Sequence, residues 1–313
     1  MSNPSLKRLL NKIGHDDLFS SLDKLSLSEL NSLMLEVFKR MAGKQSIREI
    51  LHAYRNNRFV SPSNIDPVSF HATEAALMQH AKNKGFQLFE LSPLAPLGST
   101  SAVALVDQNK IVSALRGTEV VADATNVLAL EAALRRISSS FDSTDVHYGA
   151  IHRHVRAQSF SGKGFTAHFK VFCAVSAGKD PGGFSFERNA MVKHVQLCRD
   201  YLISSTSEAD LRIIVKSIKC KREENTLTPI LFDELKSSLK TTNIAFQEVD
   251  EADHRYYDKI RFSINLVKEG IEYNIGDGGL VNWPHKLIGN KKERMFTSGL
   301  GIEFLWKLLN HKL

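Results

Sequence analysis

Two alternating stretches, Val146 to Arg156 and Phe165 to Val175, face each other across the loop Ser159-Phe-Ser-Gly-Lys-Gly164, and no other pattern in the chain constrains the fold as much. Alternation of apolar and polar residues turns one side of each stretch into a core, and so short a connection forces antiparallel pairing. The result is a long hairpin with a basic, glycine-containing tip. At 313 residues, 42% of them hydrophobic, the chain can build a large core around such a ribbon and hold one large domain plus a smaller one.

Residues 1–60 read as a helical extension. Ser26-Leu-Ser-Glu29 has capping-box spacing, and Leu30, Leu33, Met34, Val37, Phe38 and Met41 then recur on one helical face until Gly43. Ser46-Ile-Arg-Glu49 opens a shorter helix through Tyr54, whose apolar side should pack on the first helix or on a partner. The remainder, 61–313, reads as the core. Asp66 is placed as an N-cap with Pro67 at the first helical position, giving a helix to about Lys84 and then a strand from Phe86 to Leu91.

Ala102 to Val106 and Ile111 to Leu115 have hairpin spacing around Asp107-Gln-Asn-Lys110, and a helix is expected from about Asp123 to Arg136. Helices at Phe186 to Leu202 and Leu231 to Leu239 around a strand at Leu211 to Ile218 read as a small α/β insertion at about 186–245. Strands at Tyr257 to Val267 and Gly270 to Ile275 lead to Gly276-Asp-Gly-Gly279, and a helix runs from Ile302 to about Leu309. The fold class expected is α+β, a mainly antiparallel sheet flanked by helices.

Composition narrows the function classes. No segment has the roughly 18 apolar residues a membrane span needs, and the polar start is not a secretory signal, so a cytoplasmic protein without membrane contact is expected. Cys173, Cys198 and Cys220 are odd in number and widely spaced, which argues against disulfides and structural zinc, and no metal site is expected. Lys plus Arg exceed Asp plus Glu by 41 to 34, a mild positive field that favours anionic ligands. The basic residues are dispersed, so RNA binding is an open but less favoured reading.

His152-Arg-His-Val-Arg-Ala-Gln158 and Gly299-Leu-Gly-Ile-Glu-Phe304 together resemble the nucleotide-binding strands of class II aminoacyl-tRNA synthetases, most closely the histidyl enzymes and the histidyl-synthetase-like regulatory subunit of ATP phosphoribosyltransferase. The first segment is similar to the second class II motif, with Arg153, Arg156, Gln158 and Phe169 matching. The resemblance implies Arg153 for phosphate and carboxylate, Gln158 for the amino acid and Phe169 for stacking on adenine. An arginine on a sheet also pairs with carboxylates, and a phenylalanine in an alternating strand also serves as core.

His254-Arg-Tyr-Tyr-Asp258 resembles the element whose tyrosines line the amino-acid pocket, which implies Tyr256 and Tyr257 there. Gly276-Asp-Gly-Gly279 and the Gly299, Gly301 pair resemble the family's last glycine motifs, where backbone must approach the ligand. Leu115-Arg-Gly-Thr-Glu119 is similar to the loop that holds the substrate amino group, so Arg116, Thr118 and Glu119 are candidate contacts; Thr118 could equally cap the next helix.

Departures from the pattern matter as much. Phe304 stands where the family has an arginine, Val155 where it has the adenine-contacting glutamate, and Ala252 where the histidyl enzymes have another arginine. Each lost charge-assisted contact is worth about 2–4 kcal/mol in a transition state. The sequence ends at Leu313, so no anticodon-binding domain of the histidyl kind is expected. The leading expectation is a synthetase-fold paralogue that binds an amino acid, nucleotide or partner protein in a regulatory or assembly role. Residues 1–60 are the candidate partner surface. The alternative is an adenylating enzyme using ATP and Mg²⁺ through Arg153 with Arg116, Arg156 or Lys163 and passing the acyl group to an acceptor other than tRNA. A third is an RNA-binding module using the hairpin tip. No permanent cofactor is expected, and a homodimer with residues 66–91 near its interface is.

Overall fold

In the computed structural model, which describes residues 4–15, 17–138, 145–158, 164–207, 210–219, 225–250 and 256–313, both serine capping boxes form. Helices α1 (Pro4–Ile13) and α2 (Leu18–Leu22) precede α3 (Leu27–Ala42) and α4 (Ile47–Asn56). The Glu29 carboxylate accepts from the Ser26 N–H at 2.8 Å while Ser26 Oγ accepts from the Glu29 N–H; Ser46 and Glu49 repeat the exchange. Local hydrogen bonding therefore sets where these helices start. None of their residues is buried, Leu33, Val37, Phe38 and Met41 remain 39–57% exposed, and α3 touches the core at its start, where Leu27 lies against Gly117 and Asn31 Oδ1 accepts from Arg116 N–H.

The core begins at α5 (Pro67–Asn83), where Asp66 caps Ser69 N–H at 3.0 Å and Phe70, Leu77 and Ala81 are buried. The strand expected over 86–91 shortens to β1 (Gln87–Leu88). The hairpin expected over 102–115 does not form. Its place is taken by β2 (Leu94–Pro96), α6 (Ser99–Val103), a single 3-10 turn at Gln108–Lys110, β3 (Ser113–Ala114) and β4 (Thr118–Val120). The fully buried Glu119 carboxylate decides this, accepting from Gly98 N–H at 2.8 Å and Thr100 N–H at 2.9 Å and so fixing the helical start of α6.

The main sheet is assembled from β5 (Val146–Val155), β6 (His168–Lys179), β7 (Leu211–Lys219), β8 (Asn243–Asp250), β9 (Ile260–Lys268), β10 (Ile271–Val281) and β11 (Glu293–Leu300). Its order is β1-β5-β6-β11-β10-β9-β7-β8, antiparallel except where β1 and β8 join at the two edges. The hairpin legible in the sequence is the β5–β6 pair, in register from Val146 opposite Ala177 to Val155 opposite His168. Gly276 to Gly279 belong to β10 rather than to a turn, because strand neighbours crowd them: a Cβ on Gly278 would meet Thr297 O at 2.5 Å. β7 pairs with β9, so residues 186–245 extend the main sheet.

Helices cover both faces. α8 (Ser185–Ile203), α9 (Leu227–Ser238) and α11 (Ile302–Leu309) join α5 behind the sheet, and α7 (Ala124–Ser138) with α10 (Trp283–Ile288) covers part of the front. The rear core gathers Phe70, Phe172, Phe262, Phe296 and Met191, each 0–1% exposed. Burying one such side chain contributes about 1.5–3 kcal/mol. The front core packs Leu128 and Trp283 on Tyr148, Cys173, Val175 and Met295. It also encloses a bidentate ion pair, with Arg136 Nε and Nη2 donating to Glu293 at 2.9 and 3.0 Å, that ties α7 to β11. The front helices leave the middle of the sheet uncovered.

Candidate functional site

On that uncovered front face, small residues hollow the sheet. Gly276, Gly299 and Gly301 line a cavity of about 450 Å³ between the N-terminus of α7, the β5–β6 ribbon and the loop before β9. This is within the range of about 300–1,000 Å³ usual for small-molecule sites. A Cβ on Gly279 would lie 2.4 Å from Ile260 O and 2.7 Å from the Tyr257 ring, so absence of a side chain there lets the tyrosine lie flat beside the sheet.

One wall is acidic and hydroxyl-rich. Asp123 caps α7, its Oδ1 accepting from Thr125 N–H at 3.0 Å and from Thr125 Oγ1, while Oδ2 accepts from the Tyr256 hydroxyl at 2.8 Å. Beside it the His154 Nε2 accepts from Ala124 N–H at 3.0 Å, with Cys173 Sγ 3.8 Å away. Burial pushes the His154 pKa down to about 3 and raises the Cys173 thiol well above its usual value, so both groups are neutral near pH 7. Burial likewise raises the Tyr256 and Tyr257 hydroxyls.

Two arginines share the lining with these groups. Arg156 extends over the Phe169 ring at 5.3 Å and donates to Ala122 O at 3.0 Å. Arg261 on β9 lies beside Asp277 on β10; burial raises the Asp277 pKa, and the Arg261 charge and the Tyr257 hydroxyl work against that rise. Burial also disfavours the charged Glu303 carboxylate, but hydrogen bonds from Lys307 and Ser63 and the charge of Arg153 outweigh it and hold the pKa below normal.

The structure brings six of the sequence candidates to this cavity: Arg156, Phe169, Tyr256, Tyr257, Gly299 and Gly301 all line it. It does not bring Arg153. Strand alternation sends His154 and Arg156 forward, so Arg153 points backward, where Nη1 donates to Glu303 Oε2 at 3.0 Å and to His168 Nδ1 at 3.0 Å. Val155 shares that rear face with Arg153. Arg116 sits in an exposed turn at φ 67 with its N–H on Asn31 Oδ1, and Thr118 bonds back to Leu115 O. Glu119 is committed to α6. Gln158 meets Arg58 through its backbone oxygen and lies outside the lining. Phe304 lines the cavity and stacks on Phe165 at 5.3 Å. Lys163, Ala252 and most of the hairpin tip lie outside the described residues.

Asp123, Thr125, His154, Arg261 and Asp277 also line the cavity and were not among the sequence candidates. Asp277 was visible inside the glycine quartet, and Asp123-Ala-Thr125 carries the signature of an N-cap ahead of an apolar helix. His154 needed only the other parity of the strand.

Asp123, His154 and Cys173 offer ligand atoms within 4.8 Å of one another, the spacing of a metal site. Their chemistry does not fit one. The Nε2 lone pair already accepts Ala124 N–H, which leaves the proton of the neutral ring on Nδ1, so neither nitrogen has a lone pair to offer.

Among solved structures the fold is similar to that of an ATP phosphoribosyltransferase regulatory subunit/histidyl-tRNA synthetase from Bacillus halodurans C, with a TM-score of 0.62 and 11% identity over 80% of this chain and 83% of that one. Apo histidyl-tRNA synthetase from S. aureus gives 0.60 and 10% over 82% and 69%. A histidine–tRNA ligase subunit from Alicyclobacillus acidocaldarius gives 0.56 and 10% over 80% and 96%. The chain thus has the class II synthetase fold. No protein-family model matches the sequence, and no curated protein does.

Proposed function

We propose that the chain binds a small zwitterion of the amino-acid class in the front cavity and acts through that binding, in regulation or assembly, rather than by transferring an acyl group. The observation that carries this is a cavity lining in which carboxylates, at Asp123 and Asp277, and arginines, at Arg156 and Arg261, are interleaved. Such a lining offers partners of both signs to a zwitterion's ammonium and carboxylate. The charged lining groups nearly balance: Asp123, Asp277 and Glu303 against Arg156, Lys170, Arg261 and Lys307.

That balance suits a zwitterion better than a nucleoside triphosphate, which brings several negative charges. Two of the four cations are also partly spent. Lys170 donates to Glu74 at 2.7 Å and Lys307 to Glu303 at 2.8 Å. Adenylation needs unspent positive charge where two anions meet, and Phe304 and the rear-facing Arg153 supply none. The similarity in fold to a protein described as a regulatory subunit supports a regulatory or assembly role, with the exposed apolar faces of α3 and α4 as the partner-facing element.

Thermal unfolding in the presence of each amino acid, with and without ATP and Mg²⁺, tests the proposal. Stabilisation by a subset of amino acids without ATP supports it. ATP-dependent pyrophosphate exchange would instead establish the adenylating alternative, and a steep salt-dependent shift of RNA the third.

A further inference from the structure

Arg153 lines a second cavity, of about 520 Å³, on the rear of the sheet between the β5–β6 ribbon and residues 59–67. That segment is tied down along its length: Arg58 donates to Gln158 O at 3.1 Å, Ser61 O accepts from His168 Nε2–H at 2.6 Å, and Ser63 Oγ donates to Glu303. Because His168 spends its proton on Ser61, its Nδ1 is an acceptor, and it takes one N–H of Arg153 Nη1 at 3.0 Å. Glu303 Oε2 takes the other at 3.0 Å. The guanidinium is thus fixed through a single nitrogen. Its Nε and Nη2 have no hydrogen-bond partner among the described residues, and 31% of the side chain is exposed. The same edge of Arg136 grips Glu293 through two parallel bonds elsewhere in this protein.

Among the described residues no carboxylate lines this rear cavity, whereas Arg153 and Lys170 both do. Lys170 donates to Glu74 at 2.7 and 2.9 Å, and Lys307 to Glu303 at 2.8 Å, with both carboxylates outside the lining. Three cations, Arg153, Lys170 and Lys307, stand against two carboxylates, which leaves one positive charge unmatched. Phe59, Ile65, Phe70 and Val155 give the rest of the cavity an apolar surface. We propose that this cavity is a second binding site, for a small organic carboxylate without an amino group, whose two oxygens are held by Nε and Nη2 of Arg153. One negative charge meets the unmatched positive one, and an apolar body covers Phe59 and Val155. Inorganic phosphate supplies the charge without the body. A zwitterion would bring its ammonium toward Arg153 and Lys170, so the front and rear cavities select different ligands. The assignment is independent of the amino-acid reading of the front cavity.

The experiment is calorimetric titration of the full chain with benzoate and with hexanoate, each beside its neutral counterpart, benzyl alcohol or hexanol, and beside inorganic phosphate. At least one carboxylate should bind saturably at one site per chain, with its neutral counterpart and phosphate weaker by about tenfold or more. Arg153→Lys keeps the charge but loses the two-pronged edge, and should weaken that carboxylate by about fivefold or more. Val60→Glu, at a lining position that is 46% exposed, places a carboxylate in the cavity without touching Arg153 and should weaken binding by a similar factor. A mixture of the twenty standard amino acids should leave the carboxylate bound. No saturable binding of either carboxylate overturns the proposal, as does equal binding of the neutral counterpart or of phosphate. Unchanged affinity in both variants also overturns it, and displacement by the amino-acid mixture does so by putting the carboxylate in the front cavity.

Discussion

Exchanging the two arginines of the β5 end separates front from back. Arg153 is about a third exposed and pairs with Glu303, which is 1% exposed and keeps Lys307, Ser63 and the Lys170 N–H if Arg153 is lost. Breaking a buried pair outright costs about 3–5 kcal/mol, but the remaining partners and the partial exposure reduce the expected cost of Arg153→Ala to about 1–2 kcal/mol. For a chain of this size that is a fall in Tm of about 2–3 °C. Ligand affinity should stay within about twofold, because the side chain is on the rear face. Arg156→Ala should do the reverse. It removes a cation over Phe169 and a charge-assisted contact worth about 1.5–3 kcal/mol, so affinity falls about 10- to 100-fold while Tm changes little. Differential scanning fluorimetry reports the first quantity and calorimetric titration of the stabilising amino acid the second. Ligand binding abolished by Arg153→Ala and retained by Arg156→Ala would refute the assigned register.

Three further outcomes follow from the same structure. His147, with its pKa lowered to about 4, and the fully buried His154 and His194 all have folded-state values depressed by burial. Unfolded chains therefore bind more protons below about pH 6.5, and stability present above that pH is lost as it falls. Unfolding free energies from urea titrations at pH 7 and pH 5 should differ by about 2 kcal/mol on account of His154, with His194 adding a loss in the same direction, and a flat profile would contradict their neutral burial. Gly279→Ala places a methyl against Ile260 O and the Tyr257 ring; expected are a loss of about 2–3 kcal/mol and weaker ligand binding by titration, and a wild-type Tm would show the approach to be looser than described. Ser26→Ala or Ser46→Ala should speed amide exchange in α3 or α4 by about fivefold or more, with the global Tm unchanged because neither helix buries a residue. A coupled fall in Tm would mean these helices are packed after all.

Legibility in the sequence tracked how local each determinant is. The capping boxes of α3 and α4, the Asp66–Pro67 start of α5 and the β5–β6 ribbon depend on near neighbours and were readable as written. β11, the parallel edge strand β8 and the continuation of β10 through Gly276 to Gly279 were not. Their identity is set by partners far along the chain, and glycine signals a turn until strand crowding is known. The expected 102–115 hairpin failed for a similar reason, since Glu119 captures amides twenty residues earlier. At the cavity, family-like spacing pointed to the ribbon and the tyrosine pair that line it, and to Arg153, which faces the other side of the sheet. A one-residue change of parity moves a side chain through the sheet, and no local signal distinguishes Arg153 from His154 and Arg156.

Calorimetric titration of the purified chain with the twenty amino acids, in the absence of ATP, bears most directly on what the front cavity does. The structure predicts saturable binding of a subset at one site per chain, weakened by Arg156→Ala, spared by Arg153→Ala and unaffected by ATP with Mg²⁺. Heat that appears only when ATP and Mg²⁺ are present, accompanied by release of pyrophosphate, would contradict it.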